Sequence, residues 1–421
     1  MAKYSQYMTK IVIISFSLKK GGAALAASNF KYILNDLGKQ IDIKSITQDD
    51  AGFFQLIKRL ISFGLSKLQI DSNPTKHSLN LFSYTPVIKS FKNEIGAIHH
   101  LHWINNDTLS IFDFEKIPAG TIISLHDEWL YCGSEHHYKM SDNFNQFIDN
   151  YKFFKKGILG IHWNYLIWRI KLYKLINRKD IIFLVPSSWM LERAKSSVML
   201  RGLDIRLLPN PIDTDIFCPT DKKTNQQTRS ELKIEHNSFV FLYENYSIKN
   251  NRLKGIDKLH AAFDLLRQKN INISLSKVVL VNFGKNKGES SISGFRNISL
   301  GYVNDKKSLA KIYSMADCTM VPSLVESFGQ VASESISCGT PVICFGTSGL
   351  KDIVKDKISG LVAKPFSEVS LCEKIQEIIK TPNKERTKIA EQGRAHIVNN
   401  FSNSVINKKY KNILKDAEDL K

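Results

Sequence analysis

Residues 321–343 read VPSLVESFGQVASESISCGTPVI. The apolar ends of this stretch predict two strands, and its middle predicts a short loop followed by a helix. Ser327, with Gln330 three residues later, has the pattern of a helix N-cap with a capping box. Gly339 and Pro341 end the helix in the usual order. The helix therefore begins at the carboxyl edge of a strand, where its free backbone N–H groups attract an anion such as a diphosphate.

Other apolar runs repeat this alternation of strand and helix over the chain. They lie at residues 10–15, 97–102, 121–125, 181–185, 239–243, 277–282, 318–321 and 341–345. Continuous apolar runs of this length are typical of parallel strands that are buried on both faces. The sequence therefore predicts an α/β protein built from two Rossmann-like parallel-sheet domains that face a central cleft.

Three prolines fall close together between residues 207 and 219. Proline at this density ends regular structure and marks a linker. We therefore expect an N-terminal domain at 1–213, a C-terminal domain at 214–400 and a final helix at 401–421 that packs back towards the N-terminal domain.

Two glutamates accompany the predicted anion site. Glu326 lies in the loop before the helix, and Glu334 lies within the helix. A carboxylate next to an anion is unfavourable unless it accepts hydrogen bonds from hydroxyl groups. Ribose and sugar hydroxyls are such donors, so the pair indicates a site for a nucleotide or a sugar phosphate. The alternative is a helix cap without catalytic meaning.

This stretch resembles the Glu-x7-Glu motif of family-4 retaining glycosyltransferases, which have the GT-B fold. The resemblance implies that Glu326 borders the donor sugar, that the backbone of Phe328 and Gly329 cups sugar and phosphate, and that Glu334 binds the ribose. It also implies that the first domain binds the acceptor and the second the nucleotide-sugar. Further short matches cover nearly the whole chain, at Gly21-Gly22, 209–213, Lys254-Gly255, 301–303 and Ala316-Asp317.

Lys254 matches the lysine that neutralises the donor diphosphate in this family. Relatives usually carry an arginine about six residues earlier, where this chain has Ile248. Either Arg252 or Lys249 is expected to substitute for it. The residues that the resemblance assigns to donor binding are Gly22, Arg252, Lys249, Tyr302, Val303, Ser327, Phe328, Gly329, Gln330 and Glu334.

Residues 126–129 (HDEW) and 133–138 (GSEHHY) resemble a signature that is typical of enzymes building exported polysaccharides. His126 directly follows a predicted strand, so we expect it to face the cleft and to bind a donor-sugar hydroxyl or the acceptor. The expected catalytic residues are Glu326, Lys254 and His126. The residues expected on the acceptor side are Gly21, Trp103, Asp127 and His137.

The chain carries 59 lysines and arginines against 40 aspartates and glutamates, a formal net charge of +19. The segment 151–206 holds twelve of the basic residues and only three acidic ones, with aromatic residues between them. This pattern fits a helix pair with an apolar inner face, a surface that contacts an anionic membrane, or a surface for nucleic acid. The first two remain the main alternatives, and no familiar nucleic-acid-binding motif is present.

Neither a membrane-spanning run nor a signal peptide is recognisable in the sequence. The six cysteines are scattered without a Cys-x-x-Cys pair, which argues against a zinc site or a disulfide framework. Six of the eleven histidines lie between His99 and His137, but their spacing is not that of a metal site. We therefore expect a cytoplasmic protein without metal or cofactor, peripheral on the inner face of the membrane if the basic segment contacts lipid.

Together these features predict a retaining, metal-independent hexosyltransferase. We expect it to move a hexose-type sugar from a nucleoside-diphosphate sugar, such as a UDP-sugar, to a lipid-linked glycan in bacterial lipopolysaccharide or capsule biosynthesis. A basic nucleic-acid-binding protein or a catalytically silent scaffold on the same fold is the alternative.

Overall fold

The computed structural model describes residues 9–19, 21–35, 41–69, 73, 75–138, 146–148, 150–152, 161–245, 252–268 and 277–421. The chain divides into two compact units. Met1–Pro211 and Ile406–Lys421 form the first unit, and Ile212–Val405 forms the second. The first segment of the first unit thus ends at Pro211, whereas the sequence predicted its end at residue 213. The second segment of this unit begins at Ile406 instead of 401.

The first unit contains a six-stranded parallel sheet with strand order β2-β1-β3-β4-β5-β6. Its strands are β1 (Thr9–Ser15), β2 (Ile41–Ile46), β3 (Ile98–His102), β4 (Thr121–Ser124), β5 (Ile181–Val185) and β6 (Asp204–Leu207). All residues of β3, β4 and β5 are buried. Successive side chains of a strand point to opposite faces, so both faces of the sheet centre are covered, as the apolar runs predict.

Five helices of the first unit precede its boundary with the second unit in the described sequence. They are α1 (Gly22–Asn35), α2 (Phe53–Ser66), α3 (Thr85–Asn93), α4 (Trp163–Leu175) and α5 (Ser188–Ser196), with a 3-10 helix at Ile111–Lys116. No helix in the described parts of the chain is both long and apolar enough to cross a membrane.

The second unit contains a seven-stranded sheet with strand order β13-β12-β11-β7-β8-β10-β9. Its strands are β7 (Phe239–Asn245), β8 (Val278–Gly284), β9 (Lys287–Ile292), β10 (Phe295–Leu300), β11 (Cys318–Val321), β12 (Val342–Phe345) and β13 (Gly360–Ala363). The β9–β10 hairpin is antiparallel, and the remaining pairs are parallel. Alternate residues of β7 belong to two different core clusters, so this sheet also has a core on each face.

Seven helices and a 3-10 helix at Arg252–Lys254 complete the described part of the second unit. The helices are α6 (Lys222–Glu231), α7 (Ile256–Gln268), α8 (Lys306–Met315), α9 (Gln330–Ser337), α10 (Leu350–Ile353), α11 (Glu368–Lys380) and α12 (Asn383–Phe401). The parallel strands end at one edge of the sheet, and Arg252, Ser327, Phe328 and Gly329, which the sequence assigned to donor binding, follow β7 and β11 there.

A last helix, α13 (Asn403–Asp419), brings the chain back to the first unit. Its residues Ile406, Tyr410 and Ile413 belong to the same core cluster as Ile11 and Ile13 of β1. The first unit therefore builds one face of its central sheet from residues that are distant in sequence.

Part of the basic and aromatic segment 151–206 is internal where the structure describes it, while Arg169, Tyr173 and Lys179 are exposed. Tyr151, Trp168 and Lys171 are all buried, and the Lys171 ammonium donates to the carbonyl oxygens of Trp129 and of Gly133, the latter at 2.7 Å. These side chains pack in the core and do not form an exposed surface for lipid or nucleic acid. Residues 153–160, which include Lys155 and Lys156, lie outside the described residues.

Candidate functional site

The loop between β11 and α9 is shaped differently from the sequence prediction. The residue that precedes α9 is Gly329, in the left-handed conformation with φ = 107°. Ser327 is therefore not the N-cap, and the prediction of a capping box with Gln330 was wrong. The left-handed turn at Gly329 replaces the side-chain cap, and the Ser327 hydroxyl is buried without a hydrogen-bond partner. The amides at the start of α9 consequently have no side-chain cap.

Lys254 lies between two carboxylates at the edge of the second unit's sheet. Its Nζ is 2.6 Å from Oε1 of Glu326, which follows β11, and 3.0 Å from Oε2 of Glu244, near the end of β7. Burial alone lowers the pKa of the Lys254 ammonium, but the two carboxylates outweigh it and raise the pKa well above its usual range. The lysine therefore stays charged, and the three groups together carry a surplus of negative charge.

The turn that carries Lys254 is fixed to the loop after β11 by its backbone. The N–H of Leu324 donates to the carbonyl oxygen of Leu253 at 2.7 Å. Gly255 has φ = 62°, and a Cβ at this position would lie 2.0 Å from the carbonyl oxygen of Pro322. Only glycine permits this close approach, so the Lys-Gly pair sets the position of the lysine next to Glu326.

Further hydrogen bonds hold Glu326. The Ser323 hydroxyl donates to its Oε1 at 2.9 Å, and its own backbone N–H donates to the Ser348 hydroxyl at 2.9 Å. Its carbonyl oxygen accepts from the N–H of Gly349 at 2.8 Å. The carboxylate is thus fixed in direction before any ligand binds, which reduces the reorganisation that binding would require.

Glu334 is buried in the middle of α9. Gln330 donates to its Oε1 at 2.8 Å, and the Tyr313 hydroxyl donates to its Oε2 at 3.1 Å. Burial raises the pKa of this carboxyl to about 7. A carboxylate has about four acceptor positions, so Glu334 can accept further hydroxyl donors.

The other residues assigned to the donor differ in exposure. Arg252 is exposed, Tyr302 is 60% exposed, and Val303 packs on the edge of the core. The Phe328 ring is buried against Phe401, so its side chain is not free to contact a ligand. Lys249, the alternative partner of Lys254, lies outside the described residues.

In the first unit a row of imidazoles crosses the carboxyl ends of β3 and β4. His126 Nε2 lies 2.9 Å from His102 Nδ1, and the rings of His102 and His100 are 3.9 Å apart. His100 bonds in turn to the hydroxyls of Ser124 and Tyr410. Burial lowers the pKa of His100 to about 3 and that of His126 to about 4. Both rings are therefore neutral at physiological pH, and His126 is an acceptor or donor of hydrogen bonds without charge.

Asp127, next to His126, organises the expected acceptor side. Its Oδ2 accepts from Trp103 Nε1 at 2.7 Å and lies 2.6 Å from His136 Nδ1. Burial alone raises the pKa of Asp127, but His136 outweighs it and holds the pKa well below the usual range. His137 Nδ1 lies 3.6 Å from the buried carboxylate of Glu128. The HDEW and GSEHHY motifs are thus joined to each other in space.

Gly21 and Gly22 start α1. Gly21 has φ = 97°, and its carbonyl oxygen accepts the N–H of Leu25 in the first turn. A Cβ at either glycine would meet no atom within 4 Å. The space next to this turn is therefore open, and a side chain would be accommodated at Gly22 in the helix.

Two important residues were not found from the sequence. Glu244 completes the pair of carboxylates at Lys254, and its position near the end of an apolar strand was the available signal. Lys171 holds the loop that carries Trp129 and Gly133, and its regular place among aromatic residues gave no signal. Across the described residues, no group of three or more His, Cys, Asp or Glu side chains could hold a metal ion.

Comparison with known proteins finds a family match within the second unit. Residues 225–396 match the family model described as Glycosyl transferases group 1. The D-inositol 3-phosphate glycosyltransferase of Segniliparus rotundus is 28% identical over 207 residues, which are 46% of this chain and 42% of that protein. The chain thus spans less than half the length of this relative. For residues 225–396, the resemblance seen in the sequence is confirmed at the level of glycosyl transferases group 1.

Solved structures match over nearly the whole chain. Alr3699/HepE of Anabaena, crystallised with UDP and glucose, has a TM-score of 0.63 at 15% identity, covering 97% of this chain and 100% of that one. WaaG, described as a glycosyltransferase involved in lipopolysaccharide biosynthesis, has a TM-score of 0.64 at 14% identity, covering 96% and 99%. The chain has the GT-B fold. The prediction of two Rossmann-like parallel-sheet domains is confirmed.

Proposed function

We propose that this protein is a glycosyltransferase that moves a sugar from a nucleoside-diphosphate sugar to a glycan acceptor. The observation that carries the proposal is the position of Lys254, held by Glu326 and Glu244 at the edge of the second unit's sheet. Glu334 lies on the neighbouring helix, inside the segment that matches glycosyl transferases group 1. A cation next to hydroxyl-accepting carboxylates suits a ligand that is both phosphorylated and rich in hydroxyls.

In this proposal the donor diphosphate replaces a carboxylate as the partner of Lys254. The ammonium and the uncapped amides of α9 then face the negative charge that develops on the leaving nucleoside diphosphate. Glu326 accepts hydrogen bonds from the sugar hydroxyls, and Glu334 accepts them from the ribose. Arg252 or Lys249 adds a second positive charge.

We propose a retaining reaction. The bond between the anomeric carbon and the phosphate oxygen breaks, and the acceptor oxygen bonds to the anomeric carbon from the same face. The acceptor hydroxyl proton passes to the leaving phosphate oxygen. This assignment follows the family resemblance, and it leaves Glu326 and Glu334 as hydrogen-bond acceptors for hydroxyl groups. We also propose that the reaction needs no metal or cofactor, because Lys254 and the α9 amides supply the positive charge.

We propose a UDP-linked hexose as the donor and a lipid-linked glycan of bacterial surface polysaccharide as the acceptor. The donor is supported by HepE, whose crystals contain UDP and glucose. The acceptor is supported by the HDEW and GSEHHY motifs and by the lipopolysaccharide role that the description of WaaG states. The proposed location is the cytoplasm, peripheral on the inner face of the membrane. His126, Asp127, Trp103, His137 and Gly21 are the proposed acceptor-side residues.

Thermal unfolding with UDP, GDP or ADP in the presence of EDTA tests the donor site. A nucleotide at a hundred times its dissociation constant adds about 2.7 kcal/mol to the stability of the protein. This raises the unfolding midpoint by several degrees. We expect one nucleotide to do so without metal, and we expect Lys254→Ala and Glu334→Ala to lose the effect.

A nucleotide that stabilises both variants as well as the natural chain would show that it binds elsewhere. If the two variants lose the effect of the nucleotide, a second measurement distinguishes a transferase from a hydrolase. A transferase releases the nucleoside diphosphate from the sugar nucleotide only when an acceptor is present. A protein that binds the nucleotide but releases it equally without any acceptor would refute transfer.

A further inference from the structure

The helix α2 is oriented with its apolar residues outward. Only two of its side chains are buried, and both are polar: Gln55 and Ser62. The most exposed are Phe54 at 82% and Phe53 at 71%. The exposed apolar residues of this helix are Phe53, Phe54, Leu56, Ile57, Leu60, Ile61 and Phe63. A soluble helix normally shows the reverse arrangement.

Hydrogen bonds fix this orientation. Gln55 Nε2 donates to the carbonyl oxygen of Asp107, and the Ser62 hydroxyl donates to its Oδ1, both at 2.8 Å. Trp163 Nε1 donates to the carbonyl oxygen of Leu65 at 2.7 Å near the other end of the helix. The polar residues, seven positions apart, form the face that α2 presents to the first unit. These hydrogen bonds therefore direct the apolar face of α2 away from the interior of the first unit.

The charge around this apolar face is positive. The sequence of α2 contains Lys58 and Arg59 and no acidic residue, and Lys67 follows directly. A pocket of about 320 Å³ beside α2 is lined by Arg59, Lys67 and Lys76, among other residues. The whole chain has a net charge of +19. An anionic surface is therefore attracted to this side of the first unit.

We propose that α2 is a docking element for a bilayer that contains anionic lipids. Its apolar face enters the boundary between head groups and acyl chains, and its cations and those of the pocket face the lipid phosphates. With 14 residues the helix is too short to span a bilayer, so it lies in the surface. This inference rests on the peripheral membrane location given under the proposed function and deepens it by naming the element that contacts the lipid, through residues outside the donor and acceptor sets.

Sedimentation with lipid vesicles tests this proposal on the full chain. The vesicles contain equal parts of phosphatidylglycerol and phosphatidylcholine, or phosphatidylcholine alone. We expect the natural chain to bind the anionic vesicles and to bind the neutral ones much more weakly. The double change Phe54→Glu with Leu60→Glu should lower the partition coefficient by at least about tenfold, because it places charge in the apolar face. Both positions are exposed, so the fold should be retained.

Ile95→Glu is the matched control. Ile95 is 91% exposed in the first unit but lies outside α2. This variant should sediment like the natural chain. Failure of the natural chain to bind anionic vesicles, or equal binding by the α2 variant, would overturn the proposal. A lipid-free dimer that the α2 variant abolishes would also overturn it, in favour of a second copy of the chain on this face. Nucleotide binding is measured separately, so loss of the donor site and loss of docking are distinguishable.

Discussion

The Nζ of Lys254 lies 2.6 Å from Oε1 of Glu326 and shares its charge with a second carboxylate, that of Glu244. In a protein that binds an anion at this point, one of these ion pairs has to give way. The two carboxylates therefore hold Lys254 in position and also compete with the proposed ligand for its positive charge. The two glutamates should respond differently to substitution, since only Glu326 lies in the motif that the family resemblance assigns to the donor sugar.

Removal of the Lys254 charge should strongly slow transfer. We expect Lys254→Ala to lower turnover by about 10²- to 10³-fold, which is typical for loss of a group that stabilises developing negative charge. Lys258→Ala is the control, because Lys258 lies four positions later and pairs with Glu368 at 3.2 Å. Steady-state rates with a UDP-sugar check this. Comparable rates for the two variants would remove Lys254 from the reaction.

Glu244→Gln should strengthen nucleotide binding. The change keeps the shape of the side chain but removes one negative charge next to the proposed diphosphate position. We expect the affinity for the nucleoside diphosphate to rise about three- to tenfold, from Coulomb energies at a partly solvated site. Glu326→Gln should instead lower turnover. Calorimetric titration and rate measurements separate the two effects, and weaker binding by Glu244→Gln would contradict the exchange of partners at Lys254.

Glu334 should make the stability of the protein depend on pH. Burial raises the pKa of its carboxyl from 4.5 to about 7, so the folded state holds a proton that the unfolded state has released in this range. Its contribution to stability is present below pH 4.5 and is lost as the pH rises through 7. At pH 8 we expect Glu334→Gln to be more stable than the natural chain by on the order of 3 kcal/mol.

At pH 5 this difference should nearly vanish. Chemical unfolding at both pH values measures it, and Glu373→Gln on the exposed side of α11 is the control. A difference between Glu334→Gln and the natural chain that is the same at both pH values would refute the assignment. Because ribose hydroxyls favour the ionised carboxylate, nucleotide affinity should also rise between pH 6 and 8 in the natural chain.

Lys171 should be required for the stability of the first unit. Its buried side-chain nitrogen donates to the carbonyl oxygens of Trp129, the last residue of the HDEW motif, and of Gly133, the first residue of the GSEHHY motif. Lys171→Met leaves these carbonyls without a donor, so we expect a loss of about 2 kcal/mol in the free energy of unfolding. Lys174→Met should cost less than about 0.5 kcal/mol, because Lys174 pairs with the exposed Glu115. Equal losses in urea unfolding would contradict this role.

The central strands could be predicted because their residues are apolar on both faces. The run at 181–185 is β5 without change, and the run at 318–321 is β11. The edge strands were missed. In β2 the residues alternate between exposed and partly buried, and β9 reads KGESSI and is almost fully exposed. An edge strand pairs with a single neighbouring strand, and this pairing requires no continuous run of apolar residues by which the strand could be recognised.

The parts of the site that lie within one short stretch of sequence could be predicted. The contacts between residues from different strands could not. The loop with Glu326 and the Lys254-Gly255 pair could be found from local motifs. Glu244 could not be paired with Glu326 at Lys254, because β7 and the strand that precedes Glu326, β11, become neighbours only in the folded sheet. Ser327 was predicted as a cap from its spacing, yet the left-handed turn at Gly329 made a side-chain cap unnecessary. Periodicity likewise reveals an apolar helix face without telling whether it points inward.

The return of α13 to the first unit has a consequence for synthesis on the ribosome. Ile406, Tyr410 and Ile413 complete the core around Ile11 and Ile13 of the first strand. During translation the first unit thus lacks part of the cover of one apolar face of its sheet, which α1 alone contacts from the same cluster, while the whole second unit is being made. It becomes fully folded only after residues 406–421 have left the exit tunnel, whereas the second unit is continuous in sequence and can fold before it.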